Sequence, residues 1–341
     1  MTSDPGALAA LADTAFAPVA EALSAGRIPG AALGLVDRGG ARAVRHGGHA
    51  RREPDPAPVT ADTWWDLASL TKVLLTAPAL VGHSAAGRLD LEAPYAAAVR
   101  DIVQVTREPG LRAMTVAALL SHTAGLPAWF PLYTYGDDPA RLRAFLLQHP
   151  WPLGAPVYSD IGYMLAGILL ERLEDRPLAD LAPPGLAFGA DPEISAATER
   201  CPWRGRVIAG TVHDENAHAL GGAAGHAGLF GTVDGVLDRA HALLTDSVVP
   251  VAWAVAMRRD RGAGHGLGWA TAREGWAGGP GHGPATVGHT GFTGTGLWLD
   301  PDRGLAWTLL TNRVHPTRHA ETGIMDLRRA VGAGVVGAAD S

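Results

Sequence analysis

Lysine is almost missing from this sequence. Of 28 basic residues one is lysine, Lys72, and the rest are arginine; asparagine occurs twice, as Asn216 and Asn312, and cysteine once, as Cys201. A lone cysteine excludes an internal disulfide, which fits the reducing cytoplasm. Basic residues do not outnumber the 34 acidic ones, and a net charge of −6 leaves no electrostatic footprint for nucleic acid. No run of apolar residues is long enough to span a bilayer. The opening "MTSDPGALAALADTAFAPVAEALSAG" has no basic leader and is interrupted by Asp13, so it reads as a surface helix and not as a signal peptide. Together these absences predict a cytoplasmic protein without a membrane span; its oligomeric state is left open.

What is present is ample core material, 47% hydrophobic against 18% charged residues in 341, enough for one large domain or two small ones. "AALGLVDRGGARAVRHGG" predicts a β-hairpin turning at Asp37-Arg38-Gly39-Gly40. A connection with Pro54, Pro56 and Pro58 follows, then an apolar stretch over 70–82 that predicts a buried helix kinked or shortened by Pro78. "TVAALLS", "RLRAFLLQ", "DIGYMLAGILLERLED" and "TVDGVLDRAHALL" predict helices joined by Gly/Pro loops. From about residue 266, "GLGWA", "TGLWLDP" and "GLAWTLLTN" predict an antiparallel meander, and "GIMDLRRAVGAGVV" a final helix. The expected fold class is α+β. An antiparallel sheet is built from both termini (1–75 and 246–341) and flanked by helices, with a mainly helical lobe inserted at about 76–245.

A surviving lysine in an arginine-rich chain invites a chemical reason. Ser69 and Lys72 form S-x-x-K, and residues i and i+3 of a helix share a face. A serine hydroxyl becomes a nucleophile when a neighbouring base takes its proton. Lysine can be that base, or a charge that tunes one, because burial moves its pKa; arginine cannot be deprotonated in a protein. The structural alternative is a lysine snorkelling from the end of a core helix, although "DLASLTKVLLTAPALV" offers it little polar company.

Two further triplets carry chemistry. Tyr158-Ser159-Asp160 precedes a helix. Two cationic neighbours would lower the tyrosine pKa and make the phenolate a general base. Alone, Tyr158 is more often a core tyrosine with a satisfied hydroxyl and Asp160 a helix N-cap. His289-Thr290-Gly291 begins a strand, where glycine would let a substrate backbone lie close and His and Thr would hold a carboxylate or carbonyl.

In this order S-x-x-K, Y-S-D and H-T-G make the chain resemble the serine β-lactamase/penicillin-binding-protein superfamily. The resemblance is to the class C-like branch with its DD-peptidases and family VIII carboxylesterases. "TWWDLASLTK", "MTVAALLSHTAGLP", "YSDIGYMLAG", "GGAAGHAGLFGTVDGV" and "LDPDRGLAWTLLTNRVHP" extend it from about residue 12 to 332, nearly the whole chain. It implies a single β-lactamase-like serine hydrolase domain over 1–341, with the site in the crevice between sheet and helical lobe. Ser69 would be acylated, with Lys72 its partner and Tyr158 completing the base; which of those two takes the proton stays open. The backbone N–H groups of Ser69 and Phe292 would form the oxyanion hole. Asp160, His289, Thr290 and Gly291 would line the substrate. Two departures stand out: Asp160 replaces the usual asparagine of Y-x-N, and His289 the lysine of the lactamase-like K-T-G. An ionised Asp160 cannot donate to a substrate amide carbonyl, and it would pair with Lys72, leaving Tyr158 as the base.

The 14 histidines raise a metal hydrolase as a rival, but His213 and His218 in "HDENAH" are five apart, not the i, i+4 of a zinc helix, and His226 stands alone in a Gly-rich loop. "GGAAGHAGLFGT" lacks the ending of a phosphate loop. No metal or cofactor is called for. The expected activity is therefore hydrolysis of small esters or peptides through an acyl-enzyme on Ser69. The alternatives are a DD-peptidase or β-lactamase and, in a different class, a binding module that keeps the fold without the chemistry. The aromatics of "LPAWFPLYTYG" (126–136) are candidates either for the pocket wall or for a self-packed loop.

Overall fold

Residues 30–37, expected as the first arm of a hairpin, form a strand in which every residue is buried. The structure is a computed structural model and describes residues 5–99 and 110–339. The main sheet has strands β1 (Gly30–Asp37), β2 (Arg42–Arg51), β3 (Ala57–Pro58), β4 (Ala270–Thr271), β5 (Val287–Thr290), β6 (Gly296–Asp300) and β7 (Leu305–Thr311). They are antiparallel in the order β3-β2-β1-β7-β6-β5-β4. The N-terminal hairpin thus joins the C-terminal meander through β1 and β7, with Leu33 opposite Leu309 and Leu35 opposite Trp307. This is the α+β sheet expected from the two ends of the chain.

Alternation along β1 explains its burial on both faces. Ala31, Leu33 and Leu35 enter a core with Leu11, Ala15 and Val19 of the N-terminal helix Pro5–Ser24 and Leu327, Val331 and Val335 of the C-terminal helix Ile324–Ala339. Ala32 and Val36 face the opposite core. Between them, Gly34 leaves room for helix Val233–Leu244: a Cβ there would lie 2.7 Å from Val233 Cγ2. That helix, read from sequence as part of the helical middle, packs on β1 and β7 and covers the second face of the sheet. Gly6–Ser24 is, among the described residues, the one helix long and apolar enough to cross a membrane. Here one stripe of it is packed on the sheet.

Helices Val116–Leu120, Pro139–Gln148 and Asp160–Glu174 fall where the hydrophobic periodicity placed them. The stretch 70–82 differs. It runs as a 3₁₀ turn (Ala68–Leu70), a π turn (Lys72–Thr76) and a regular helix only from Ala77 to Ala85. Pro78 stands in the first turn of that helix, and its missing N–H leaves the carbonyl of Leu74 four residues back without an α-helical donor. The Leu74 oxygen is taken instead by Arg239 Nε at 2.8 Å, reaching across from helix Val233–Leu244. A small sheet of Trp65–Asp66, Leu229–Gly231 and Leu186–Phe188 anchors the chain just before Ser69.

Candidate active site

Ser69 sits on the 3₁₀ turn, and the turn is held from several sides. Ala68 takes a left-handed backbone, φ 48°, a strained state for a residue with a side chain. Its N–H donates to Asp66 Oδ1 at 2.8 Å, while Asp66 Oδ2 accepts the His213 N–H at 2.6 Å. Burial pushes the Asp66 pKa up, although the two N–H donors and His213 oppose it. Thr293 and Thr295 hydroxyls donate to the Asp66 and Leu67 carbonyls at 2.8 and 3.0 Å, fastening the turn to the end of the sheet. The strain is offset by these bonds.

Lys72 is fully buried. Its three ammonium hydrogens meet three acceptors: Ser69 Oγ at 2.8 Å, Asp160 Oδ1 at 2.8 Å and the His226 carbonyl at 3.1 Å. Burial alone would lower its pKa, but attraction to Asp160 and to the Tyr158 oxygen outweighs it, and the net shift is upward. The lysine is therefore an ammonium at neutral pH, and the snorkelling alternative fails because its head lies in the interior. Helix Asp160–Glu174 presents Asp160 from its first turn; its N-cap is Ser159, whose Oγ accepts the Gly162 N–H, and not Asp160.

Tyr158 lies with its ring centroid 5.0 Å from Lys72 Nζ. Burial pushes its phenol up, Lys72 opposes this only in part, Asp160 adds to it, and the net shift is upward. The expected pair of cations is absent, because His289 is neutral. Burial, then repulsion from Lys72, hold the His289 pKa well below the usual imidazole value. Its Nδ1 is 3.0 Å from the Thr290 carbonyl, which assigns the ring proton to Nδ1 and leaves Nε2 as an acceptor.

Ser69, Tyr158, Asp160, His289, Thr290, Gly291 and Phe292 all border one cleft of about 600 Å³. The sequence-derived site is thus brought together, with Lys72 behind it. Gly291 borders the cleft and also has a packing role. A Cβ there would overlap Thr295 Oγ1 and lie 2.7 Å from the Leu67 carbonyl, so its bareness seats the strand end on the serine turn. The Phe292 ring stacks on His213 at 5.6 Å and lies 4.8 Å from the Arg313 guanidinium. The aromatics of 126–136 do not border the cleft; Phe130 packs on Phe145 and Trp151.

Sequence reasoning missed Asp66, the His226 carbonyl and Arg328. Asp66 is visible three residues before Ser69, but its value lies in backbone bonds. A carbonyl leaves no trace in residue type. Arg328, from the C-terminal helix, is almost wholly buried in the cleft wall and donates to the Gly291 and Thr295 carbonyls at 2.8 and 2.7 Å, with its Nε unpartnered. Burial, then Arg313, lower its pKa to about 9, so it stays charged at neutral pH. Arg313 donates to the Phe292 carbonyl and Arg273 to that of Ala263. Among the described residues the buried Arg328 bonds no carboxylate, whereas Arg313 is attracted by Glu321 and Arg273 is exposed to solvent. His213 and His218 are not neighbours in function: one bonds Glu199 at 3.0 Å and the other packs against Trp203.

Comparison with known proteins agrees with this geometry. The chain is 30% identical over 313 residues to the N-acetylmuramyl-L-alanine amidase of Bacillus subtilis (strain 168), covering 76% of this chain and 70% of that protein. It is 31% identical over 313 residues to a protein of Escherichia coli O157:H7 named "Putative D-alanyl-D-alanine carboxypeptidase", covering 76% and 71%. Its fold is similar to that of EstCE1, a hydrolase with promiscuous acyltransferase activity (TM-score 0.76, 21% identity, 96% of this chain and 98% of that one). It is also similar to a class C beta-lactamase (TM-score 0.73, 17% identity, 95% and 96%). The family model described as Beta-lactamase matches residues 16–331, taking in the serine turn, the tyrosine and the H-T-G strand alike. The chain belongs to the Beta-lactamase family and is a serine hydrolase of that fold.

Proposed function

We propose that this enzyme hydrolyses small esters or peptides that carry a carboxylate, through an acyl-enzyme on Ser69. The observation that carries the reading is the saturation of Lys72. With all three of its hydrogens given to Ser69, Asp160 and His226, the ammonium donates to Ser69 Oγ, and the proton of the serine has to leave by another route. Tyr158 is the available partner. As a neutral phenol it can accept the serine proton while passing its own to the leaving group, a relay rather than a stored base.

In acylation the Ser69 Oγ–carbon bond forms and the bond from the carbonyl carbon to the leaving oxygen or nitrogen breaks. The Tyr158 proton ends on the departing alcohol or amine and the serine proton replaces it on the phenol. Water then reverses the roles and frees the acid and Ser69. The backbone N–H groups of Ser69 and Phe292 would bind the developing oxyanion, a contribution of about 3 to 4 kcal/mol. Asp160 keeps Lys72 charged. His289, Thr290 and Gly291 form the wall along which the substrate lies.

The carboxylate requirement follows from charge. Arg273, Arg313 and Arg328 border the cleft and, among the described residues, bond to carbonyls and, for Arg328, to the Met325 sulfur, against Glu274 and the lysine-paired Asp160 in the lining and Glu321 near Arg313. The buried Arg328, which bonds no carboxylate among the described residues, favours an anionic ligand. A second reading, a DD-carboxypeptidase, is supported by the same arginines and by the name of the Escherichia coli relative. Asp160, which cannot donate to a substrate amide, speaks against it. The test compares p-nitrophenyl esters of succinate and butyrate with wild type and Ser69→Ala. Faster turnover of the succinate ester, lost in the mutant, is expected. Turnover that survives Ser69→Ala removes the nucleophile, and release of D-alanine from an N-acylated D-Ala-D-Ala peptide at a higher kcat/KM favours the second reading.

A further inference from the structure

Helix Val116–Leu120 closes in a Schellman motif: Thr123 N donates to Ala118 O at 2.9 Å and His122 N to Leu119 O at 3.3 Å. The residue between the two bonds occupies the left-handed position that Gly or Asn normally fills. Here it is His122, with φ 59°. A β-carbon and an imidazole in that conformation are disfavoured, so the side chain must be held by contacts of its own.

Those contacts lead to the catalytic groups. The His122 ring is almost wholly buried, and its Nδ1 accepts the backbone N–H of Ser159 at 3.0 Å. Ser159 lies between Tyr158 and Asp160, so one hydrogen bond sets the backbone that carries both. The same ring stands 4.4 Å from the Tyr158 ring and 5.1 Å from that of Tyr163, whose hydroxyl donates back to Leu120 O at 2.8 Å. Acceptance at Nδ1 assigns the proton to Nε2, which is buried without a partner among the described residues. Burial, then the neighbouring His265 and Lys72 charges, keep the ring neutral by holding its pKa well below the usual value, which preserves Nδ1 as an acceptor. Helix capping alone explains none of this, since glycine would cap better.

We propose that His122 is a positioning residue for acylation: by accepting the Ser159 N–H and packing on Tyr158 it holds the phenol in register with Ser69 and Lys72. The proposal rests on the relay role given to Tyr158 above. A displacement of about 1 Å at such a group costs on the order of 100-fold in rate.

The test uses a fluorophosphonate that phosphonylates the active serine, so no natural substrate is needed, and separates the limiting rate kinact from the binding constant KI. Asn at position 122 suits the left-handed backbone and places Oδ1 where Nδ1 stands; Gln carries the same amide one methylene too far; Phe keeps the ring without the acceptor. His122→Gln and His122→Phe should lower kinact roughly 10- to 100-fold with KI within about twofold, and His122→Asn should stay within about threefold of wild type. A Gln variant as fast as wild type, or an Asn variant as slow as Gln, overturns the proposal. If His122→Phe does not fold, the Asn–Gln pair carries the comparison. Wild type that reacts elsewhere than Ser69 overturns the nucleophile reading and this proposal with it, whereas Ser69 labelling unchanged in His122→Gln overturns this proposal alone.

Discussion

Asp160→Asn isolates the electrostatics that hold Lys72. At 2.8 Å the pair attracts with 332/(20 × 2.8), about 6 kcal/mol at an effective dielectric constant of about 20. Asn keeps an oxygen on Lys72 but removes the charge, leaving a fully buried ammonium with neutral acceptors. The lysine has an escape: from an unfolded value of about 10.4, losing its proton at pH 7 costs about 4.6 kcal/mol, which caps the damage. The expected loss of stability is therefore about 3 to 5 kcal/mol, the usual range for breaking a buried pair.

The sign with pH separates this account from a packing defect. In wild type the folded pKa of Lys72 lies above its unfolded value, so the stabilisation is fully present below the unfolded pKa and is lost only as pH rises through the folded one. Between pH 7 and 9 this group leaves wild-type stability flat. In Asp160→Asn burial is no longer opposed by the carboxylate, and the folded pKa falls below the unfolded one. The unfolded state then binds the extra proton, and stability rises with pH by up to about 1.4 kcal/mol per unit. Urea unfolding of both proteins at pH 7, 8 and 9 reads this directly. A loss under about 1 kcal/mol with no difference in slope would refute the claim that Asp160 sustains the ammonium.

Other perturbations bear on separate links. Lys72→Arg keeps the charge but cannot fit three acceptors around one nitrogen, so kcat/KM on the succinate ester should fall by a factor of roughly 1,000 or more; near-wild-type rates would take Lys72 out of the chemistry. The buried Glu199 accepts from His213 at 3.0 Å and Arg318 at 2.7 Å; these partners outweigh the upward push of burial and hold its carboxyl at about 2. It contributes on the order of 3 kcal/mol above its unfolded pKa, lost as pH falls through about 2, so acid unfolding of wild type should be steeper than that of Glu199→Gln; equal slopes would contradict this. Arg239→Ala leaves the Leu74 carbonyl without its donor and should cost about 1 to 3 kcal/mol in urea unfolding, while an unchanged midpoint would mean the Pro78 gap needs no filling.

Much of the site was legible in residue order. Only one residue in the chain could be a neutralisable amine, and its i, i+3 relation to Ser69 survives in a 3₁₀–π segment as it would in an α-helix. The tyrosine and the H-T-G strand were readable as types at fixed places in the chain. The charge states were not. A tyrosine beside a lysine and a histidine reads as acidified, yet burial acts on all three groups, neutralises His289 and raises the phenol. The packing role of Gly291 was not legible for a related reason: a missing Cβ shows in sequence, but what fills its place, here Thr295 and Leu67, does not. His122 stood in a quoted segment as an unremarked letter, because a left-handed φ is a property of the backbone.

By itself the sequence determined the two-ended sheet, the helices of the middle and the candidate Ser69 with its lysine and tyrosine, since periodicity and residue chemistry are local quantities. Only the tertiary structure decided that Lys72 is saturated by Ser69, Asp160 and a carbonyl of the 226 loop, that Arg239 takes the carbonyl Pro78 leaves without a donor, and that three arginines border one cleft. Those outcomes depend on distance and dielectric between residues 88, 154 and 165 positions apart, and neither quantity is written in residue order.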